Sequence, residues 1–343
     1  VSVIADAYMK GLPGFDDDEA LDAMVASARF DRYDGLGDYR ALGYVPADRH
    51  SNSASKTLEF AYDDWTIARM ARAMGRGEIA DTFFRRATSW RKLFDAGTGF
   101  LRARNADGSF PAEFDPMSTH GQGYIEGNAW NYSLYVPHDV QGFTDLLGGP
   151  DKLVAWLDGL FVMQVDDESI AHNEDITRAG MIGNYVHGNE PSHHVPYLYS
   201  FVGQPWKTQA RVRQIMNEMY RPEPDGLCGN DDCGQMSAWY IFSALGFYPV
   251  APGSNQYVLG SPAVRRAEID LGDGRTFRIV AENQAADHLY VREVRLNGDR
   301  IDRCYITHEE ISSDGELRFV MGKKPNRDRC TAPEDRPYSM SRP

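Results

Sequence analysis

The chain has 343 residues, is 42% hydrophobic and carries a formal net charge of −14, which is enough chain for two domains and a sizeable core. An acidic balance of this size repels nucleic acid and anionic lipid, so neither is expected as a partner, whereas a neutral ligand or a bound cation is compatible with it. No apolar run approaches the ~20 residues needed to cross a bilayer, so no membrane insertion is expected.

The opening residues VSVIADAYMKG read like the middle of a helix and not like a signal peptide. The chain is therefore expected to be a fragment whose first residues carry no information on export. Asp16 is a plausible N-cap, with Ala20, Leu21, Met24, Val25 and Ala28 on one face behind it. A second helix is predicted over about Lys56 to Met74, with Ala61, Trp65 and Ala68 as its buried stripe. A third is predicted over about Glu78 to Phe94, stopped by Gly97 and Gly99. Residues 99–112 read as an irregular hairpin, and further helices are predicted at 127–134, 139–147, 151–162, 192–202, 205–220 and 234–245. No strand–helix alternation with a Gly-rich phosphate loop occurs, which argues against a doubly wound fold.

Near Pro252 the texture changes. VRRAEIDLG, TFRIVAEN, HLYVREVRLNG, DRIDRCYIT and ELRFVM alternate apolar and polar residues, and Asn297-Gly298 is a hairpin turn signal. The fold class read from this is mainly α: residues 1–252 form a helical bundle or α/α toroid, and 253–325 form a small antiparallel β domain. The segment 326–343, rich in Pro, Arg and Asp, is expected to be a loosely ordered tail. The four cysteines, Cys228, Cys233, Cys304 and Cys330, are too few for a disulfide scaffold. Cys228 and Cys233 read as two thiols or one local bridge, and no second thiolate pair completes a zinc site.

Three glycine-anchored segments concentrate carboxylates, amides and aromatics: GYIEGNAWNYSLYVPHD (123–139), GNYVHGNEPSHHVPYLY (183–199) and GLCGNDDCGQMSAWYIFSALGFYP (226–249). Acids in such company suit a pocket that grips a polyhydroxylated ligand and moves protons on it. Hydrolysis of a glycosidic bond with inversion needs one carboxyl to protonate the departing oxygen. A second, roughly 6.5–9.5 Å away, activates a water on the far face of the ring. Glu126, close in sequence to Tyr124, Trp130 and Tyr132, suits the acid, which wants a partly apolar niche. Asp232, beside Asn230, Asp231 and Gln235, suits the base. The competing readings are a first-turn helix acid for Glu126 and helix capping for Asp231 and Asp232. Asn189 and Glu190 offer hard oxygen ligands of the type Ca²⁺ takes. Asp63, Asp64, Trp65, Trp130, His193 and His194 are candidate substrate contacts. Buried caps, ion pairs or satisfied core histidines are the alternative for the ionisable ones.

These three segments, with SASKTLEFAYDDWTIARMA and VIADAYMKGLPGF upstream, closely resemble glycoside hydrolase family 92 over nearly the whole chain, to about Pro325. The resemblance implies a calcium-dependent, inverting exo-α-mannosidase acting on terminal mannose of glycans, found in the periplasm or secreted. It also implies an N-terminal β-sandwich, an (α/α)6 toroid and a C-terminal β region. On that basis the sandwich and the first toroid helices are expected upstream of Val1. Glu126 in YIEGNAW matches the general acid and Asp232 in GNDDCGQ the general base, with Asp231 able to share the task. Asn189 and Glu190 match a block near the calcium, which contacts sugar hydroxyls. Family members that cleave α-1,2 links tend to carry a His-Glu pair, where this chain has Asn173-Glu174 in AHNEDIT. Glu174 keeps the acid of that subsite. Two other functions are weighed: a related toroid glycoside phosphorylase, against which the adjacent Asp231 and Asp232 argue by repelling phosphate, and an inactive carbohydrate-binding remnant.

Overall fold

A computed structural model of the chain describes residues 1–12, 14–171 and 176–342. Its first part is helical: α1 (Ser2–Met9), α2 (Asp17–Ser27), α3 (Leu36–Leu42), α4 (Ser53–Ala73), α5 (Gly77–Arg86), α6 (Ala129–Tyr132), α7 (Val140–Leu147), α8 (Pro150–Leu160), α9 (Pro205–Glu218) and α10 (Gln235–Leu245). A two-stranded ribbon, β1 (Met181–Ile182) with β2 (Tyr185–Val186), interrupts the series between α8 and α9.

The long helix α4 is the spine. Ala61, Trp65 and Ala68 are fully buried as the spacing predicts, with Leu58 on the same face, but so are Ile67 and Met70 on other faces. A helix apolar on most of its faces is surrounded, and α4 packs against α1, α2 and α5. Two predicted helices are shaped differently. The one expected over 78–94 ends at Arg86, where the Thr88 hydroxyl donates to the Arg85 carbonyl at 2.7 Å, and resumes as a 3₁₀ helix over Ser89–Leu93. The one expected over 192–202 is a 3₁₀ helix over Val195–Val202, because Pro191 and Pro196 bring no amide hydrogens to an α ladder.

The C-terminal part holds two sheets. One has the order β5-β6-β10-β7-β8, formed by β5 (Arg266–Gly272), β6 (Arg275–Glu282), β7 (Tyr290–Leu296), β8 (Asp299–Ile301) and β10 (Gly315–Gly322). The other joins β3 (Phe247–Tyr248), β4 (Gln256–Leu259) and β9 (Tyr305–Thr307), which leads into a short helix, α11 (His308–Ile311). The period of two is visible in β10, which buries Leu317, Phe319 and Met321 against Phe277, Ile279 and Val294. Asn297 and Gly298 turn β7 into β8 with φ of 53° and 93°, the left-handed pair a tight hairpin needs. All but one pairing in the larger sheet is antiparallel; β10 returns between β6 and β7 and so lies parallel to β6. The smaller sheet crosses the expected boundary at residue 252, since Phe247 pairs with Leu259.

The expectation of a loose tail is overturned. Cys330 forms a disulfide with Cys304, while Cys228 and Cys233 are free thiols. Ser339 is fully buried, and its hydroxyl and that of Ser341 donate to Asp139 at 3.1 and 2.8 Å. The tail lies down because Asp139, itself buried beside α7, has lone pairs that need donors, and the tail supplies them. Tyr338 completes the latch, with the Trp65 indole N–H donating to its hydroxyl at 3.3 Å.

Candidate active site

Glu126 stands in an irregular segment pinned at both ends. The Gly123 carbonyl accepts from Ala54 at 2.9 Å and so caps α4, and the Ile125 amide donates to the Ser55 hydroxyl at 3.1 Å. Gly123 has φ 88°, and a Cβ there would lie 2.6 Å from that of Ala103, so only glycine lets this loop lie against α4. After Glu126, Asn128 caps α6 in a reciprocal capping box with Asn131.

The second and third segments meet backbone to backbone. A Cβ on Gly229 would overlap the Gly188 carbonyl, so the Asn230–Cys233 turn can sit directly on the Gly188–Glu190 turn. Two neighbouring aspartates are then used differently. Asp231 accepts from the Ser237 amide at 2.9 Å and its hydroxyl at 3.1 Å, capping α10. Asp232 has φ 42° and stands close to the carboxyl of Glu190.

Glu126 and Glu190 line one cavity of about 470 Å³, together with Ser55, Lys56, Glu59, Tyr132 and Tyr135. Glu190 and Tyr135 also line an adjoining cavity of about 260 Å³, which reaches His193, His194, Gln235 and Tyr248. Burial pushes the Glu190 carboxyl up to about 7, and the proximity and charge of Asp232 and the charge of Glu126 push the same way. Glu59, Glu126 and Glu190 thus line one cavity, and Asp232 stands beside Glu190 at its exposed margin, a set of carboxyls suited to proton transfer on a bound group.

His193 and His194 are buried, and burial pushes both down to about 4, so both are neutral near pH 7. One ring nitrogen of His193 bonds the His187 carbonyl at 2.9 Å and one of His194 the Leu134 carbonyl at 2.8 Å. They border the smaller cavity while anchoring loops, and His193 also meets the Gln235 amide at 3.2 Å.

Other expected contacts are corrected. Asp64 is 1% exposed and is held by the Tyr39 hydroxyl at 2.8 Å and by Arg86 at 2.8 and 3.0 Å, so it is a structural ion pair. Trp65 is fully buried beneath Tyr62 and Tyr338. Trp130 belongs to an aromatic cluster with Phe100 and Trp156, at ring separations of 5.2 and 5.0 Å, and does not line the carboxylate cavity. Asp63, one helical step from Asp64, borders a neighbouring cavity that shares Tyr33 and Phe60 with the carboxylate site. Glu174 lies outside the described residues.

Asn189 is buried and Glu190 heads a 3₁₀ turn directly after it. Among the described residues no group of three or more His, Cys, Asp and Glu side chains is gathered tightly enough to hold a metal unaided. The donors at hand are hard oxygens: the Asn189 amide, the Glu190 and Asp232 carboxyls and loop carbonyls. That set fits Ca²⁺, which fills its coordination sphere with carbonyls, waters and ligand hydroxyls. A cation would also offset the charges of Asp232 and Glu126, which add to burial in raising Glu190.

Glu59 is the acidic member of the α4 lining that the sequence did not single out. It follows Ser55 and precedes Asp63 by four residues each, so a polar stripe on α4 was the available signal.

Comparison with known proteins gives a consistent result. The family model described as the glycosyl hydrolase family 92 catalytic domain matches residues 1–323. A family GH92 α-mannosidase of Bacteroides thetaiotaomicron, in a structure with mannoimidazole, is similar at 41% identity and TM-score 0.93 over 99% of this chain and 45% of that one. A Family GH92 inverting mannosidase of the same organism is similar at 38% identity and TM-score 0.90, over 99% of this chain and 48% of that one. An uncharacterized secreted glycosidase of Arthroderma benhamiae is 28% identical over 94% of this chain and 44% of its own length. The chain therefore spans about half the length of the relatives it matches.

Proposed function

The chain belongs to glycosyl hydrolase family 92, and from that premise we propose that it removes terminal non-reducing α-linked mannose from glycans with inversion at the anomeric carbon. The reading is supported most by one observation: Glu126 and Glu190 line a single cavity, and Glu190 reaches Asp232. In this reading Glu126 protonates the departing glycosidic oxygen. Asp232 takes a proton from the water that attacks the opposite face of the ring. Asp231, committed to the α10 cap, positions that turn and leaves the base role to its neighbour. Asn189 and Glu190 would hold Ca²⁺, which when bound supplies charge to sugar hydroxyls and favours ring distortion.

The helical part is read as a portion of an (α/α)6 toroid, in keeping with its likeness to the family structures. An exported protein, periplasmic or secreted, is also proposed. The Cys304–Cys330 disulfide suits an oxidising compartment, and the fungal relative is described as secreted.

The test is mannose release by the full-length protein from α-mannobiose and from an aryl α-mannoside with an activated leaving group. Glu126→Gln should abolish the first and spare much of the second, because only the poor leaving group needs the proton. Equal losses on both would remove the acid assignment. Chelation should abolish activity and added Ca²⁺ restore it; indifference to chelator would remove the metal.

A further inference from the structure

Glu59 projects from the middle of α4 into the cavity that Glu126 and Glu190 line. Tyr135 donates its hydroxyl to Glu59 Oε2 at 3.1 Å. That tyrosine is itself wedged between Tyr62, His194 and Tyr132, at ring separations of 6.2, 5.8 and 6.4 Å. One oxygen of the carboxyl is thereby fixed, and a carboxyl has a second oxygen with its own hydrogen-bonding capacity. A charged carboxyl turned into a half-enclosed space costs desolvation, and a chain used only for packing would place an apolar group here. Asp64 and Asp139 offset that cost with several structural donors each, whereas among the described residues the donor to Glu59 is the Tyr135 hydroxyl, which leaves its cavity-facing oxygen for a ligand.

We propose that Glu59, oriented by Tyr135, is a further substrate-contacting residue: its second carboxyl oxygen binds one ring hydroxyl of the sugar held between Glu126 and Asp232. This rests on the function proposed above and adds a residue to it. Burial raises the Glu59 carboxyl to about 7, helped by the charges of Asp63 and Glu126. Near neutral pH it is therefore able both to donate to and to accept from a hydroxyl. Tyr135 acts through Glu59 as a positioning residue.

The experiment pairs protein and substrate deletions in the full-length enzyme. The parent aryl α-mannoside and its 2-, 3-, 4- and 6-deoxy analogues are assayed with wild type, Glu59→Ala, Glu59→Gln and Tyr135→Phe. Wild type should lose roughly 10- to 100-fold in kcat/KM when the partner hydroxyl is removed. Glu59→Ala should lose a similar factor on the parent and almost nothing further on that one analogue, while the other analogues fall as in wild type. Glu59→Gln should show the same pattern with a smaller loss, which guards against misfolding of the alanine variant. Tyr135→Phe should raise KM more than it lowers kcat. Losses in Glu59→Ala and Glu59→Gln that are uniform over all five substrates would overturn the assignment of Glu59 while leaving the mannosidase reading intact. Failure of the wild type to act on the parent mannoside would instead remove the mannosidase reading, and the role of Glu59 with it.

Discussion

Two acidic pairs, Asp63-Asp64 on α4 and Asp231-Asp232 in the turn before α10, look alike in the sequence and are used in opposite settings. On α4, neighbours diverge by about 100°, so Asp64 faces the core and its ion pair with Arg86 while Asp63 faces a cavity. In the turn, Asp231 points to the helix it caps and Asp232, at positive φ, stands close to Glu190. In each pair one carboxylate is tied to its own element or an adjacent guanidinium, while the other faces away from it, Asp63 towards the Ser2 backbone and Asp232 towards Glu190. The difference lies in what surrounds the second one. Asp232 shares its space with Glu190, and through it with Glu126, whereas Asp63 lies outside that group.

This contrast can be broken from either side. Asp232→Asn should lower kcat on the order of 10³-fold with an unchanged melting temperature, the signature of a lost base. Asp64→Ala should do the reverse. Removing it strands the Arg86 guanidinium beside Tyr39 and should cost about 3 kcal/mol of unfolding free energy in denaturant titration. Catalysis by the remaining folded fraction should be little changed.

Glu59, one turn before Asp63, sharpens the comparison through pH. Its carboxyl binds a proton more tightly in the folded state than in the unfolded, where a glutamate titrates near its ordinary value. The native state therefore holds more protons between about pH 4.5 and 7, and this group's contribution falls as pH rises through that window. Glu59→Gln should flatten that decline, read as melting temperature against pH in calcium-free buffer; an unaltered slope would mean Glu59 is solvated like a surface acid. The smallest effect belongs to Asp231→Ala. It should cost about 1 kcal/mol for the lost cap, with kcat within a few-fold of wild type. A loss as large as that of Asp232→Asn would reassign the base.

Much of this was legible in the sequence because it depends on local pattern. The buried stripe Ala61, Trp65 and Ala68 and the alternation in β10 are set by side-chain period and survive in the structure. The three glycine-anchored segments converge because glycines such as Gly229 permit backbone contact, and their acids were visible as a concentration. What the sequence hid was long-range. The tail is ordered by Asp139, some 200 residues earlier, and by Cys304. Trp65 and Trp130 carried the composition of a sugar platform, but Trp65 went to the core, where a large ring gains most, and Trp130 packs half-buried against Phe100 and Trp156. Glu59 was hidden by its position inside an otherwise buried helix, where only the partner hydroxyl of Tyr135 reveals its purpose.

The central claim is that Glu126 and Asp232 work from opposite faces of one sugar ring. The most direct test is proton NMR of the first product released from an aryl α-mannoside by the full-length protein, recorded before mutarotation. β-Mannose appearing first is the expected result; α-mannose appearing first would contradict the assignment of Asp232 as a water-activating base.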